Sequence, residues 1–157
     1  MAEEKPWYET IVLPALLRHA RTTYGAAMHA ALAEAGCDDV PKNGLYIIGG
    51  LALGVGGVPL GRLAKELGVS KQAVGQLVDT LVLRGYLDRT PDTEDRRKLT
   101  VTLTKRGQMA AEVQAKARAR IDADLLARVG AESVLHCRKT LAALIAIGRE
   151  EEEDTEH

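Results

Sequence analysis

The chain has 157 residues, 46% of them hydrophobic and 27% charged, with a formal net charge of −1. That apolar fraction is enough for an ordinary soluble domain with a real core, and it excludes a disordered or collagen-like chain. One Trp, four Tyr and no Phe argue against functions built on rows of stacking rings, such as single-strand nucleic-acid platforms and aromatic cages.

Cys37 and Cys137 are far apart and have no CxxC or Cys/His spacing. They therefore frame neither a disulfide scaffold nor a zinc site, no metal or cofactor is expected, and both read as ordinary packed or partly exposed thiols in a reducing cytoplasm. Glu3, Glu4 and Lys5 precede the first apolar stretch, the wrong order for a secretory signal. Residues 43–61 carry no charge, but seven of them are Gly and Pro59 interrupts the end, so this stretch reads as a buried helix and a glycine-rich turn, with no membrane span.

In chain order, the apolar residues Leu13, Leu16, Leu17, Ala20, Tyr24, Ala27, Met28, Ala31 and Ala35 have the three-and-four spacing of one long amphipathic helix that ends at Gly36. Pro14 places its start near Leu13 or marks a kink in a helix beginning near Trp7. A second helix is predicted from Pro41 to Leu53, stopped by Gly54 to Gly57. Leu60, Leu63, Ala64 and Leu67 form the inner face of a short helix and Gly68 with Val69 a tight turn. Ser70 caps a further helix to Arg84 with Val74, Leu77, Val78 and Leu81 inward, completing a helix-turn-helix. After Gly85 the period changes to two: Tyr86 to Thr90 and Lys98 to Leu103 read as strands around a charged loop, with Leu99, Val101 and Leu103 inward and Lys98, Thr100 and Thr102 outward. Thr104 caps a helix to Arg128, Gly130 stops it, and a last helix runs to Arg149 before a solvated acidic run, Glu150 to Glu153 with Asp154 and Glu156.

That tail conceals a basic centre, since residues 59–106 hold ten basic and six acidic side chains. The fold class expected is mainly α, a winged helix-turn-helix with a small antiparallel β wing. Long N- and C-terminal dimerisation helices flank it, because their apolar stripes exceed what one small central module can cover. The domains expected are 1–40 as the N-terminal dimerisation helix, 41–106 as the winged DNA-binding module, and 107–157 as the C-terminal dimerisation helices with the acidic tail.

Ser70, Lys71, Gln72 and Gln76 stand at the end of the second helix that meets base edges in a major groove: Gln can pair bidentately with adenine, Lys with guanine or phosphate, Ser with phosphate. Gly75 lets that helix sit close to the groove wall. Arg96, Arg97 and Lys98 at the wing tip suit a minor groove, and Asp95 can orient Arg97 through a charge-assisted pair. A polar helix face alone is usually only solvated; the basic hairpin that follows it turns the balance toward double-stranded DNA.

Residues 58–107, with PLGRLAKELGVSKQAVGQLVDTLVLRGYLDR followed by DTEDRRKLTVTLTKRG, resemble the MarR family of bacterial transcription regulators. The wing carries that family's D-x-R-x5-L-T signature as Asp95, Arg97, Leu103 and Thr104. The resemblance implies a homodimer that binds a pseudo-palindromic operator, often as a repressor, with Arg97 in the minor groove and Asp95 holding it, and with small phenolic or aromatic effectors, or oxidants, weakening the complex. Oxidant-sensing members carry a reactive Cys near the start of the first helix, and residues 7–21 have none here. In this family the ligand cleft lies between dimerisation helices and winged module, which makes His19, Arg21 and Tyr46 the candidate effector contacts. The rival classes are an enzyme, for which the sequence offers no phosphate loop, GxSxG or HExxH, and a winged helix serving only protein partners, against which the Lys/Gln face and Arg-rich wing argue.

Overall fold

A computed structural model of the chain describes residues 5–53, 58–97 and 99–155. Helix α1 (Trp7–Thr10) breaks at Ile11 and Val12 before α2 (Leu13–Glu34), and Pro14 lies in the first turn of α2, where its missing N–H has no intrahelical partner to lose. Helix α3 (Gly44–Leu53) starts later than Pro41 because the Pro41 carbonyl accepts from the Gly44 amide at 2.8 Å, making residues 41–43 a turn. Its Leu45, Ile47, Ile48 and Leu51 are all buried, so it is the central helix, apolar nearly all round. Gly54 to Gly57, the expected stop, lie outside the described residues.

The helix-turn-helix follows as strand β1 (Val58–Pro59), helix α4 (Leu60–Leu67) and helix α5 (Lys71–Leu83). Gly68 takes a φ of 65°, the left-handed conformation that the reversal between α4 and α5 requires and that glycine adopts without a Cβ clash. The Ser70 hydroxyl accepts from the Ala73 amide at 3.1 Å and caps α5.

Strands β2 (Leu87–Pro91) and β3 (Leu99–Leu103) pair antiparallel, with Leu87 opposite Leu103 and Thr90 opposite Thr100. The wing has a third strand that the sequence pattern does not announce: β1 pairs with the other edge of β3, giving the order β1-β3-β2. This corrects the outward placement of Thr100. In the middle strand, opposite Pro59 on one side and Thr90 on the other, Thr100 is 9% exposed, and its hydroxyl donates to the Thr90 carbonyl at 3.2 Å.

Helix α6 (Lys105–Thr155) is capped by Thr104, whose hydroxyl accepts from the Gly107 amide at 3.0 Å. It is broken at Gly130, where φ 81° and ψ 162° are non-helical, and it continues past Arg149 to Thr155, so the acids from Glu150 to Asp154 are helical and exposed. No helix among the described residues is long and apolar enough to cross a membrane.

The chain divides into two compact units, residues 1–118 and 119–157. The first has one continuous core, to which α2 contributes Met28 and Leu32, α3 Ile47 and Ile48, α5 Val74 and Val78, the wing Leu87 and Val101, and α6 Ala110 and Ala117. Helix α6 enters this core through its glycine: a Cβ on Gly107 would lie 2.1 Å from the Tyr86 carbonyl oxygen and 3.0 Å from a Leu103 methyl. Gly107→Ala must push helix and wing apart, and overpacking of this kind destabilises by about 1–3 kcal/mol. The expected result is a lower urea midpoint at an unchanged slope; an unchanged midpoint would mean that α6 does not approach the Tyr86 backbone.

Candidate nucleic-acid interface

The candidate contact residues of α5 stand on a helix fixed at both ends. At its start Lys71, Gln72 and Gln76 are exposed, while the Ser70 hydroxyl is engaged in the cap. The Lys71 side chain lies back toward α4, its Cε 3.2 Å from where a Cβ on Gly61 would be. Farther along the same face, the Asp79 carboxylate pairs with the Arg89 guanidinium, which ties α5 to strand β2. Gly75 sits amid this face; its Cβ position has nothing within 4 Å among the described residues, so no packing there offsets the roughly 0.5–1 kcal/mol that a glycine costs a helix interior.

The wing tip is built by carboxylates accepting from backbone amides. Asp92 Oδ1 accepts from the amides of Glu94 at 2.8 Å and Asp95 at 3.2 Å, and Asp95 Oδ1 accepts from the Arg97 amide at 3.1 Å. Asp95 thus meets Arg97 through its backbone, not through the guanidinium that a charge-assisted pair would use, and Asp92 is an organiser of the tip that the sequence reading passed over. Arg96 and Arg97 point into solvent with no internal partner among the described residues. Lys98, the third expected cation of the tip, lies outside the described residues.

Behind α5 and the wing is a polar junction that the sequence pattern does not announce. Tyr86, fully buried between α5 and β2, donates its hydroxyl to Asp39 Oδ1 at 2.5 Å. Arg106 at the start of α6 donates to the same oxygen at 3.2 Å and to the Arg84 carbonyl at 2.6 Å, while its guanidinium lies 4.3 Å from the centre of the Tyr86 ring. Arg84 in turn donates to the Asp39 carbonyl. The Tyr86 hydroxyl chiefly, with help from the Arg106 charge, holds the Asp39 carboxyl below its ordinary range against the opposing effect of burial. Burial first, and the bond to Asp39 second, push the Tyr86 phenol well above its ordinary value.

Of the expected effector contacts, Arg21 and Tyr46 come together, the Arg21 guanidinium lying 4.3 Å from the Tyr46 ring centre. Both line two adjoining clefts. One, of about 580 Å³, continues past Lys42 and Asn43 to Gln76, Thr80 and Arg84; the other, of about 310 Å³, includes Arg18, Gly25 and His29. The charged side chains lining both are cationic. His19 lines neither cleft and is exposed, whereas His29, one of its ring nitrogens 3.1 Å from the Lys42 carbonyl, does. Cys37 is buried and Cys137 exposed, both as free thiols.

A capped helix-turn-helix joined to a three-stranded wing, with cations at the wing tip, defines a winged-helix protein. The model of the MarR family matches residues 45–98, a stretch that runs from α3 through the helix-turn-helix to the wing tip. No curated protein sequence matches the chain. Among solved structures, a transcriptional regulator of Thermotoga maritima is 25% identical over 88% of this chain and 94% of its own, with a TM-score of 0.56. Apo MarR of E. coli is 20% identical over 85% and 97%, with a TM-score of 0.65. Streptococcus pneumoniae FabT, solved in complex with DNA, is 18% identical over 88% and 96%, with a TM-score of 0.74.

Because Asp39 is ionised below its ordinary range in the folded chain, its stabilisation is present above pH 4 or so and is lost as pH falls through its lowered pKa. Tyr86→Phe removes the donor without changing the packing, and losing a hydrogen bond to a charged group costs about 1–2 kcal/mol at pH 7. The expected result in urea titrations is a deficit relative to wild type that narrows once the carboxyl is protonated. A deficit constant from pH 7 to pH 3 would remove Asp39 from the account.

Proposed function

We propose that the protein is a homodimeric transcriptional repressor that sets α5 in the major groove of double-stranded DNA and the wing tip in the adjoining minor groove. The observation that carries this reading is the pairing of two exposed cationic and amide-bearing surfaces on one rigid module: Lys71, Gln72 and Gln76 on α5, and Arg96 and Arg97 on the tip, joined through Asp79 and Arg89. Lys98 adds a third cation to the same segment of the sequence. The MarR family match of this module and the DNA bound to FabT support the reading. Two copies related by a dyad reach successive major grooves, about 34 Å apart, on a pseudo-palindromic operator. The apolar side chains left exposed in residues 119–157, among them Leu125, Leu126, Val129, Leu135, Ile145 and Ile147, are the side chains this reading assigns to the second copy.

The test is binding to the duplex that the wild-type protein enriches from a random-sequence pool, followed by fluorescence anisotropy across a salt series. Arg97→Ala is expected to weaken that complex by about 1–3 kcal/mol while leaving the dimer intact in sedimentation, and undiminished affinity would overturn the role of the wing. Lys71→Ala separates two contacts: loss of a phosphate contact weakens all duplexes alike and lowers the salt slope by about one, whereas loss of a base contact relaxes sequence preference.

Release by a small effector completes the proposal. The cationic lining of the two clefts and the Arg21–Tyr46 stack suit an aromatic or phenolic anion, and the larger cleft reaches Gln76 on the recognition helix. Across a panel of benzoates and phenols, at least one is expected to raise the melting temperature of the wild type and to reduce DNA binding, with Arg21→Ala abolishing both effects. A compound that acts equally on the variant would place the effector elsewhere.

A further inference from the structure

Three helical glycines in the first unit are explained by their neighbours. A Cβ would meet the Pro41 ring at 3.1 Å from Gly44, the Gln114 side-chain oxygen at 3.3 Å from Gly49, and the Tyr86 carbonyl at 2.1 Å from Gly107. Gly75 has no such reason among the described residues, since its Cβ position is open there and its helix is continuous around it. Gly50 and Gly148 are also open, but neither lies on the proposed DNA face. Gly75 does: Lys71, Gln72 and Asp79, its neighbours three and four residues away, are exposed polar groups, and Gln76 beside it in sequence is exposed as well. A glycine in a helix interior, where alanine would be more stable and would touch nothing among the described residues, lets a second body approach the backbone closely.

We propose that Gly75 is the point of closest approach between α5 and the duplex, the room left by its missing side chain being filled by the wall of the major groove. The inference rests on the DNA-binding reading above and adds a positioning residue that acts by its absence of bulk. It contributes no charge and no hydrogen bond; it sets the depth at which Lys71, Gln72 and Gln76 reach the base edges.

The experiment compares wild type, Gly75→Ala and Gly75→Leu on the duplex that the wild type enriches from a random pool, with thermal unfolding of each protein. Gly75→Ala is expected to raise the melting temperature by about 2–4 °C, as a helix-interior gain of this kind does in a chain of this size. The same variant is expected to bind roughly tenfold more weakly, and Gly75→Leu more weakly still, each with the wild-type salt slope because no phosphate contact is removed. A more stable Gly75→Ala that binds as tightly as wild type would overturn the inference. A lower melting temperature would do so as well, since it would mean that the folded chain itself fills the space. A wild type that binds no duplex even at low salt would instead overturn the DNA-binding reading, in an arm that contains no variant.

Discussion

The junction of Asp39, Tyr86 and Arg106 is the constraint on which the winged module depends. It gathers the loop after α2, the end of α5, the start of β2 and the first turn of α6 around one carboxylate oxygen. A recognition helix and a wing can read one duplex only if their mutual angle is fixed to a fraction of a side-chain length, and short apolar contacts alone leave such angles soft. Here the turn between them carries a buried ring, and the acceptor for its hydroxyl lies on a segment that belongs to neither element. The Gly107 contact with the Tyr86 carbonyl then closes the same joint from the α6 side.

Three of the six acids of the basic segment are engaged within the module of a chain whose net charge is −1. Asp79 is matched by Arg89, Asp92 accepts from the amides of Glu94 and Asp95, and Asp95 accepts from that of Arg97. These carboxylates hold geometry, and the guanidinium groups of Arg96 and Arg97 are left with no such duty. Outside that segment, Glu150 to Asp154 gather five further negative charges in an exposed helical run at the far end of α6. Segregation of this kind raises the local positive potential without making the protein as a whole basic.

The helix-turn-helix was legible because each of its signals is local: apolar residues three and four apart, a glycine at the reversal, and a serine three residues before the amide it caps. The charged tip was legible for the same reason. The junction was not, because Tyr86 and Arg106 lie 47 and 67 residues from Asp39, and no periodicity connects residues that far apart. Strand β1, two residues long, is too short to alternate, and only its pairing with β3 reveals it. The exchange of His19 for His29 has a simpler origin. Arg18, Arg21, Thr22, Gly25 and His29 follow one face of α2 toward the clefts, and His19, a single residue along from Arg18, is turned about a third of the way round the helix.

The backbone at Gly130 belongs to a different class from the usual glycine turn. Its φ of 81° with a ψ of 162° lies outside the left-handed helical well that asparagine and aspartate can share, in a region open essentially to glycine alone. The break restarts the helical phase, so Leu125, Leu126 and Val129 are presented on one angular count and Leu135, Leu144 and Ile145 on another. A residue that favours the α conformation at this point would carry a single phase through both segments and rotate one apolar set about the axis relative to the other. Replacing one of the exposed leucines removes one apolar side chain, whereas a change at this one side-chain-free position alters the pattern in which the two sets are presented.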